Sequence, residues 1–228
     1  MSKKLIIKKK ISYQDVVLTA ITVLISYLLS NVLENFSYFS TAFYLSLLYL
    51  KLNPYLSSFV YLLSGLLNFN FETFYPSILT VLIVLPIFLT YKRKRKKVKG
   101  EIMLYAILAH IPFILIYPND LNFKLFSIGA SIVATFTFIS SSRVTFIKKF
   151  DYKLEFDELF CLSIFAILLE LGFIGAFNLT LLKSFIIFTI LVTAVIFGGS
   201  TGAITGIILS FAPAIYTFSL TPIAVYTL

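Results

Sequence analysis

The chain has very little of the residue types from which most metal and catalytic sites are built. Its 228 residues include one cysteine (Cys161), one histidine (His110) and no tryptophan. A single cysteine excludes an internal disulfide, and a lone histidine with no second histidine or carboxylate at ligand spacing does not support a metal site. His110 is better explained as a satisfied interior residue. We therefore predict no metal, no cofactor and no catalytic residue in this chain.

Charged residues are scarce as well. They make up 13% of the sequence, whereas 59% is hydrophobic and the mean hydropathy is +0.97. A soluble domain of this length needs more polar surface, so the composition indicates an integral membrane protein. The apolar runs are continuous and do not alternate with polar residues, which favours helices over a membrane barrel. The prediction is an all-α, polytopic transmembrane helix bundle that forms one membrane domain over residues 1–228, with the lipid bilayer as its partner.

About nine apolar runs are candidate spans, and several fall short of the roughly 20 residues that a straight span needs. The short runs predict tilted helices or a locally thinned bilayer. The first run follows a basic N-terminus, but no small-x-small cleavage site follows it, so it is interpreted as a retained span and not a signal peptide. Pro86 and Pro112 lie within spans and are expected to kink them. The runs cover residues 16–33, 38–50, 56–67, 76–91, 102–117, 125–138, 156–173, 182–197 and 202–216, and residues 219–228 resemble the start of another.

The basic residues are concentrated in segments that follow even-numbered runs. Under the positive-inside rule, the basic N-terminus (1–12) and the loops 92–100 and 140–157 are predicted to be cytoplasmic. Acidic residues such as Glu34 and Asp120 fall in loops after odd-numbered runs. The net charge of +9 is thus explained by topology and anionic lipid, and no nucleic acid partner is predicted. We expect a multi-pass membrane protein with a cytoplasmic N-terminus.

The longest basic run, between the fourth and fifth apolar runs, has two interpretations. It can contact anionic lipid headgroups on the inner leaflet, or it can act only as a signal that orients the spans. The orientation signal is the simpler interpretation and is favoured. The residues of this run are Lys92, Arg93, Lys94, Arg95, Lys96 and Lys97.

A glycine-rich stretch near the C-terminus is the feature around which the rest of the bundle is expected to assemble. Gly198, Gly202 and Gly206 are four residues apart, and Thr201 and Thr205 repeat the same spacing. On a helix this spacing forms a face of small residues that lets two backbones approach closely in lipid. The alternative is a glycine-rich turn between two spans. We predict a combination, with a break at the first glycines and a packed helix pair after it. A phosphate-binding loop is improbable because no lysine follows the glycines.

Ionisable residues inside spans are the default functional candidates in a membrane protein. Glu170 lies near the outer end of the seventh run, and Lys183 opens the eighth run across a short hairpin. An ion pair between them would neutralise both charges. A structural pair is favoured over a transport site.

Three stretches resemble a known family. The segment 157–161 (DELFC) opens an apolar run that closes on 172–175 (GFIG), and the segment 202–209 (GAITGIIL) follows. In residue type, order and spacing these elements resemble the membrane domain of stage II sporulation protein E, over about residues 119–220. The acidic residues at 157 and 158 also suit the N-terminal end of a helix dipole, and that alone would explain them.

The resemblance implies a sporulation protein of the asymmetric division septum, in a sigma factor activation pathway. In that family a cytoplasmic segment and a metal-dependent serine phosphatase domain follow the membrane domain. The 228 residues contain no such phosphatase segment, so the resemblance implies anchoring, localisation and assembly, not catalysis. It implies division-septum proteins or further copies of the chain as partners. We expect either a fragment of a longer protein or a shortened relative.

A second hypothesis is a small-solute carrier, such as the substrate-binding membrane component of a vitamin transporter. Such components have about this size, are basic and contain glycines. A carrier should place polar groups around a cavity near the middle of the membrane. The sequence offers only His110 and scattered serines and threonines for that role. A polar, ligand-sized cavity would favour the carrier over the anchor.

Overall fold

The computed structural model describes residues 13–32, 38–50, 52–68, 71–94, 101–116, 121–147, 155–219 and 221–227, and the regular structure in them is α-helical. The predicted cytoplasmic N-terminus (1–12) and residues 95–100 of the basic loop lie outside these ranges. The helices are α1 (Tyr13–Ser30), α2 (Tyr38–Tyr49), α3 (Pro54–Leu67), α4 (Phe71–Lys94), α5 (Glu101–Ile116), α6 (Leu121–Phe146), α7 (Phe156–Ala176), α8 (Leu179–Phe197), α9 (Gly199–Thr217) and α10 (Thr221–Thr227).

Each predicted apolar run coincides with one helix, so the all-α fold class is confirmed. Among the described residues, three helices are long and apolar enough to cross a membrane, namely α7, α8 and α9. Shorter apolar segments lie in α1, α3, α4 and α5. The chain is thus a membrane protein, while the count of about nine spans stays a prediction.

Helix α6 is longer than its apolar run. The cytoplasmic loop predicted over residues 140–157 overlaps the end of this helix, which continues to Phe146. The hydroxyl side chains in this part bond to the helix itself: Ser141 Oγ donates to the Thr137 carbonyl at 2.9 Å, and Thr145 Oγ1 to the Ser141 carbonyl at 2.8 Å. Hydroxyls satisfied in this way let a polar-looking segment remain helical in an apolar setting.

Helix α2 lies at the centre of the bundle. All of its side chains from Tyr38 to Leu48 are buried, and it packs against α1, α3, α5 and α6. At 12 residues it is about 18 Å long, well short of a hydrocarbon core of about 30 Å. Because protein surrounds it on all these sides, its short length is not a mismatch with lipid.

Helix α4 packs against α3 and α5, whereas α8, α9 and α10 form a layer with α7. Helix α7 packs against α1 and α6 and also against α9, which in turn packs against α8 and α10. Local sequence sets the start of the first two helices of this layer. Asp157 and Glu158 lie in the first turn of α7, where a negative charge interacts favourably with the positive end of the helix dipole. Asn178 caps α8 by accepting a hydrogen bond from the Leu181 backbone amide at 2.7 Å.

A close helix crossing in the core joins α1 to α7. A Cβ added to Gly172 would overlap the backbone carbonyl of Leu28, and one added to Gly175 would overlap the carbonyl oxygen of Asn31. Only glycine lets the two backbones approach this closely. Tyr27 and Phe177 meet edge to face beside this crossing, with ring centroids 6.5 Å apart. The C-terminal ends of α1 and α7 therefore lie side by side, and the two helices run in the same direction.

We expect Gly172→Ala to destabilise the protein by about 1–3 kcal/mol, because the added methyl meets a backbone that cannot move aside. The matched control is Gly129→Ala in α6, where an added Cβ meets nothing within 4 Å. That control should be neutral or stabilising, since alanine has the higher helix propensity. Unfolding midpoints of the purified variants in detergent measure both. Equal midpoints for the two variants would contradict the close crossing.

Candidate functional site

The glycine-rich stretch contains a chain break followed by a packed helix. Helix α8 ends at Phe197 and α9 begins at Gly199, and Gly198 between them has a φ of 95°. This is a left-handed conformation that favours glycine. The predicted break therefore lies at Gly198.

Gly202 and Gly206 are buried on α9 and lie against two different helices. A Cβ on Gly202 would stand 2.6 Å from the Ala194 Cβ of α8, and a Cβ on Gly206 would overlap the Tyr226 carbonyl oxygen of α10. The G-x-x-x-G face is thus used within one chain, where it holds α9 between α8 and α10. Thr205 Oγ1 donates to the Thr201 carbonyl of its own helix at 2.9 Å.

Gly202→Leu should separate α9 from α8, because a branched side chain cannot fit against Ala194. We expect reduced accumulation in the membrane and a lower unfolding midpoint. Gly199→Leu places the same side chain three residues earlier, where an added Cβ meets nothing within 4 Å, and should behave like the parent. If Gly202→Leu also accumulates and melts like the parent, the glycine face does not pack as described.

The structure does not form the expected ion pair between Glu170 and Lys183. Glu170 is buried, with 7% of its surface exposed, and neither of its carboxyl oxygens has a hydrogen-bond partner among the described residues. Lys183 is exposed. The prediction failed because it assumed that residues near one hairpin face each other. Ile174, one turn after Glu170, packs against Leu182 and Ile186 of α8. Lys183 follows the buried Leu182 directly in the sequence, so its side chain lies off that buried face.

His110 is fully buried in α5 among aromatic rings. Its ring stacks on Tyr38 with centroids 5.5 Å apart and lies 6.3 Å from Phe113. Its Nδ1–H donates to the Ala106 carbonyl one turn earlier. Among the described residues, no group of three or more His, Cys, Asp and Glu side chains could hold a metal ion. His110 thus lies in the interior, as predicted, but it is not fully satisfied, because its buried Nε2 has no hydrogen-bond partner among the described residues.

A cluster of hydrogen-bonded hydroxyl groups joins α1, α2 and α3. In the sequence these residues look scattered. Each bond joins two helices: Ser26 Oγ to Ser64 Oγ at 2.8 Å, Thr41 Oγ1 to Tyr61 Oη at 2.7 Å, and Tyr44 Oη to Ser58 Oγ at 3.0 Å. The Tyr44 and Tyr61 rings also stack, with centroids 4.9 Å apart. The sequence indicates this cluster only through the many hydroxyl residues in α2 and α3, two helices that are too short to be ordinary spans.

An amide pair closes one end of this cluster. Asn31 Nδ2 donates to Asn68 Oδ1 at 2.9 Å, and Asn68 Nδ2 donates to Ser30 Oγ at 2.7 Å. These contacts join the C-terminal ends of α1 and α3. Since α7 ends beside α1 as well, three odd-numbered helices end on the same side of the bundle.

An open groove of about 530 Å³ lies between α6 and α7, beside α2. Its one hydroxyl, on Thr137, donates to the Ala134 carbonyl of its own helix at 2.9 Å. The groove is therefore apolar in character and does not resemble a site for a polar solute. It is lined by Phe39, Phe126, Gly129, Ala130, Val133, Ala134, Thr137, Ile164 and Leu168.

The basic run predicted to contact lipid lies at the edge of what the structure describes. The backbone of Lys92, Arg93 and Lys94 forms the last turn of α4. Their side chains, and residues 95–97, lie outside the described part of the chain. The contact with anionic lipid therefore stays a prediction.

The chain matches no protein-family model, no curated protein and no solved structure.

Proposed function

We propose that this chain is a non-catalytic membrane domain that anchors, localises and assembles a protein in a bacterial membrane. The observation that carries the proposal is the pairing of polar groups in the interior. The hydroxyls of α1, α2 and α3 bond across helices to one another. Polar groups paired in this way specify how helices fit together and are not presented to a solute. The apolar groove beside α2 supports the same interpretation.

The septal and sporulation part of the proposal comes from the resemblance to stage II sporulation protein E. The residues that carry the resemblance have structural roles in this chain that suit an assembly domain. Asp157 and Glu158 open α7, Gly172 and Gly175 contact α1, and Gly202 contacts α8. On this proposal the partners are the bilayer, other copies of the chain and division-septum proteins.

Helix α8 offers a surface for that assembly. Among its described side chains only Leu182 and Ile186 are buried. Large apolar side chains cover the remainder of the helix, including Phe188, Leu191 and Val195. In a membrane this surface faces lipid or a second transmembrane helix.

A small-solute carrier is the second candidate, and one observation favours it. Glu170 is a buried acid inside a helix able to cross a membrane, and such residues often mark transport routes. The apolar lining of the groove weighs against a route for polar solutes. Anchoring is therefore the proposal, and uptake is its principal competitor.

We further propose that the N-terminus and residues 92–100 are cytoplasmic. The shared end of α1, α3 and α7 supports alternating spans, because odd-numbered helices then run in one direction. In a Cys161→Ser background, an impermeant thiol reagent added outside the cell should label Asp120→Cys. It should not label Lys9→Cys or Lys96→Cys until the membrane is opened. Labelling at position 96 from outside would overturn this topology.

A fluorescent fusion of residues 1–228 should enter the membrane and, in a spore-forming host, concentrate at the polar septum during sporulation. Uniform membrane fluorescence at that stage would count against the septal role. Vesicles that contain the chain, with and without a partner ATPase, provide the competing measurement. Saturable uptake of a vitamin by these vesicles would overturn the anchoring proposal in favour of the carrier.

A further inference from the structure

Glu170 is the one acidic side chain, among those that the structure describes, that is buried in a helix able to cross a membrane. It lies in α7, whose 21 residues run from Phe156 to Ala176. Its side chain is 7% exposed, and neither carboxyl oxygen has a hydrogen-bond partner in the described residues. The other acids whose side chains are described, Glu155, Asp157 and Glu158, lie at the start of α7, outside its apolar body.

No described cation neutralises this carboxyl group. Lys92, Arg93, Lys94 and Lys124 have a described backbone only, so Arg143 and Lys183 are the basic residues whose side chains the structure describes, and both are exposed. Lys183 is the nearer of the two in sequence, and it does not bond to either oxygen of Glu170. The surroundings that are described therefore supply no opposite charge.

The neighbours of Glu170 along α7 are apolar on both sides. Leu168, Leu169 and Leu171 pack against a cluster formed by α1, α2 and α6. Ile174, one turn further on, packs against α8 and α9. Glu170 thus lies between two apolar clusters, where water has little access.

An ionised carboxylate is very costly in such a place. Without a partner, transfer of the charge from water to a low-dielectric interior costs tens of kcal/mol by Born solvation, and the group takes up a proton instead. A neutral carboxylic acid requires only the desolvation of a polar group. We propose that Glu170 is an intramembrane proton-binding site, a neutral carboxylic acid buried in α7.

The ligand at this site is a proton and not a metal ion. A Ca²⁺ or Mg²⁺ site requires about six oxygen ligands, whereas the described residues hold no cluster of three or more His, Cys, Asp and Glu side chains. One carboxyl group is sufficient for a proton. This inference holds whether the chain anchors a protein or transports a solute, because it depends only on the burial of one side chain.

Infrared spectroscopy of the whole chain in lipid vesicles at neutral pH tests the proposal. The parent protein, with its glutamates labelled with ¹³C at the side-chain carboxyl, should show a protonated carbonyl band that shifts with the label. That band should be lost in Glu170→Gln. The matched control, Asp157→Asn, removes an exposed acid from the same helix, so it should leave the band in place and remove ionised carboxylate absorption.

A second readout does not depend on the folding of any variant. If the labelled parent protein shows only ionised glutamate carboxylates, Glu170 carries a charge and the proposal is wrong. A protonated band that persists in a correctly folded Glu170→Gln protein would place the proton on another residue and would also overturn it. Near-parental unfolding of Glu170→Gln is expected, because glutamine is a neutral group of the same shape.

Discussion

Backbone contact between α1 and α7 is the constraint on which the rest of the bundle depends. In lipid, apolar side chains gain nothing by leaving solvent, so helices associate through close packing and hydrogen bonds. Gly172 and Gly175 provide that packing, because a Cβ at either position would overlap the backbone of α1. Once α7 is fixed on α1, its opposite face is available to α9, and α9 then carries α8 and α10.

The polar contacts of the core fix the register between neighbouring helices. They add little to the stability of the bundle. An interhelical hydrogen bond in a membrane contributes on average about 0.6 kcal/mol, because the separated helices also find partners. Yet Thr41 with Tyr61 and Tyr44 with Ser58 fix α2 against α3 at two levels. Ser46 with Ser142 fixes the same helix against α6 at 3.3 Å. A displacement of α2 along its axis would break all three contacts together, so one register is strongly favoured.

Local features of the fold could be predicted from the sequence, whereas contacts between distant segments could not. The apolar runs located the helices, the adjacent Gly198 and Gly199 located the break, and the four-residue glycine spacing located the packing face of α9. Asp157 and Glu158 marked the start of α7 because helix dipoles act locally. The length of α6 was missed because Ser141 and Ser142 look polar, and their burial depends on α2. The interhelical hydroxyl pairs and the α1–α7 crossing join residues far apart in the chain, and no periodicity encodes such partners. The failed Glu170–Lys183 pair has the same cause.

The two parts of the bundle meet the bilayer in different ways. Helices α2 and α3 are short and carry the paired hydroxyls, and α2 is enclosed by protein, so its short length needs no compensation by lipid. Helices α7, α8 and α9 are each long enough to cross a membrane and expose much of their apolar surface. The apolar surface available to lipid or to a second copy includes these three helices, and it also includes parts of α1 and α3, where Leu18 and Phe59 are exposed. Glu170 is buried in α7, one turn before Ile174, which packs against α8 and α9. A neutral acid there is compatible with close apolar packing, whereas an ionised one would force water or a cation between the helices.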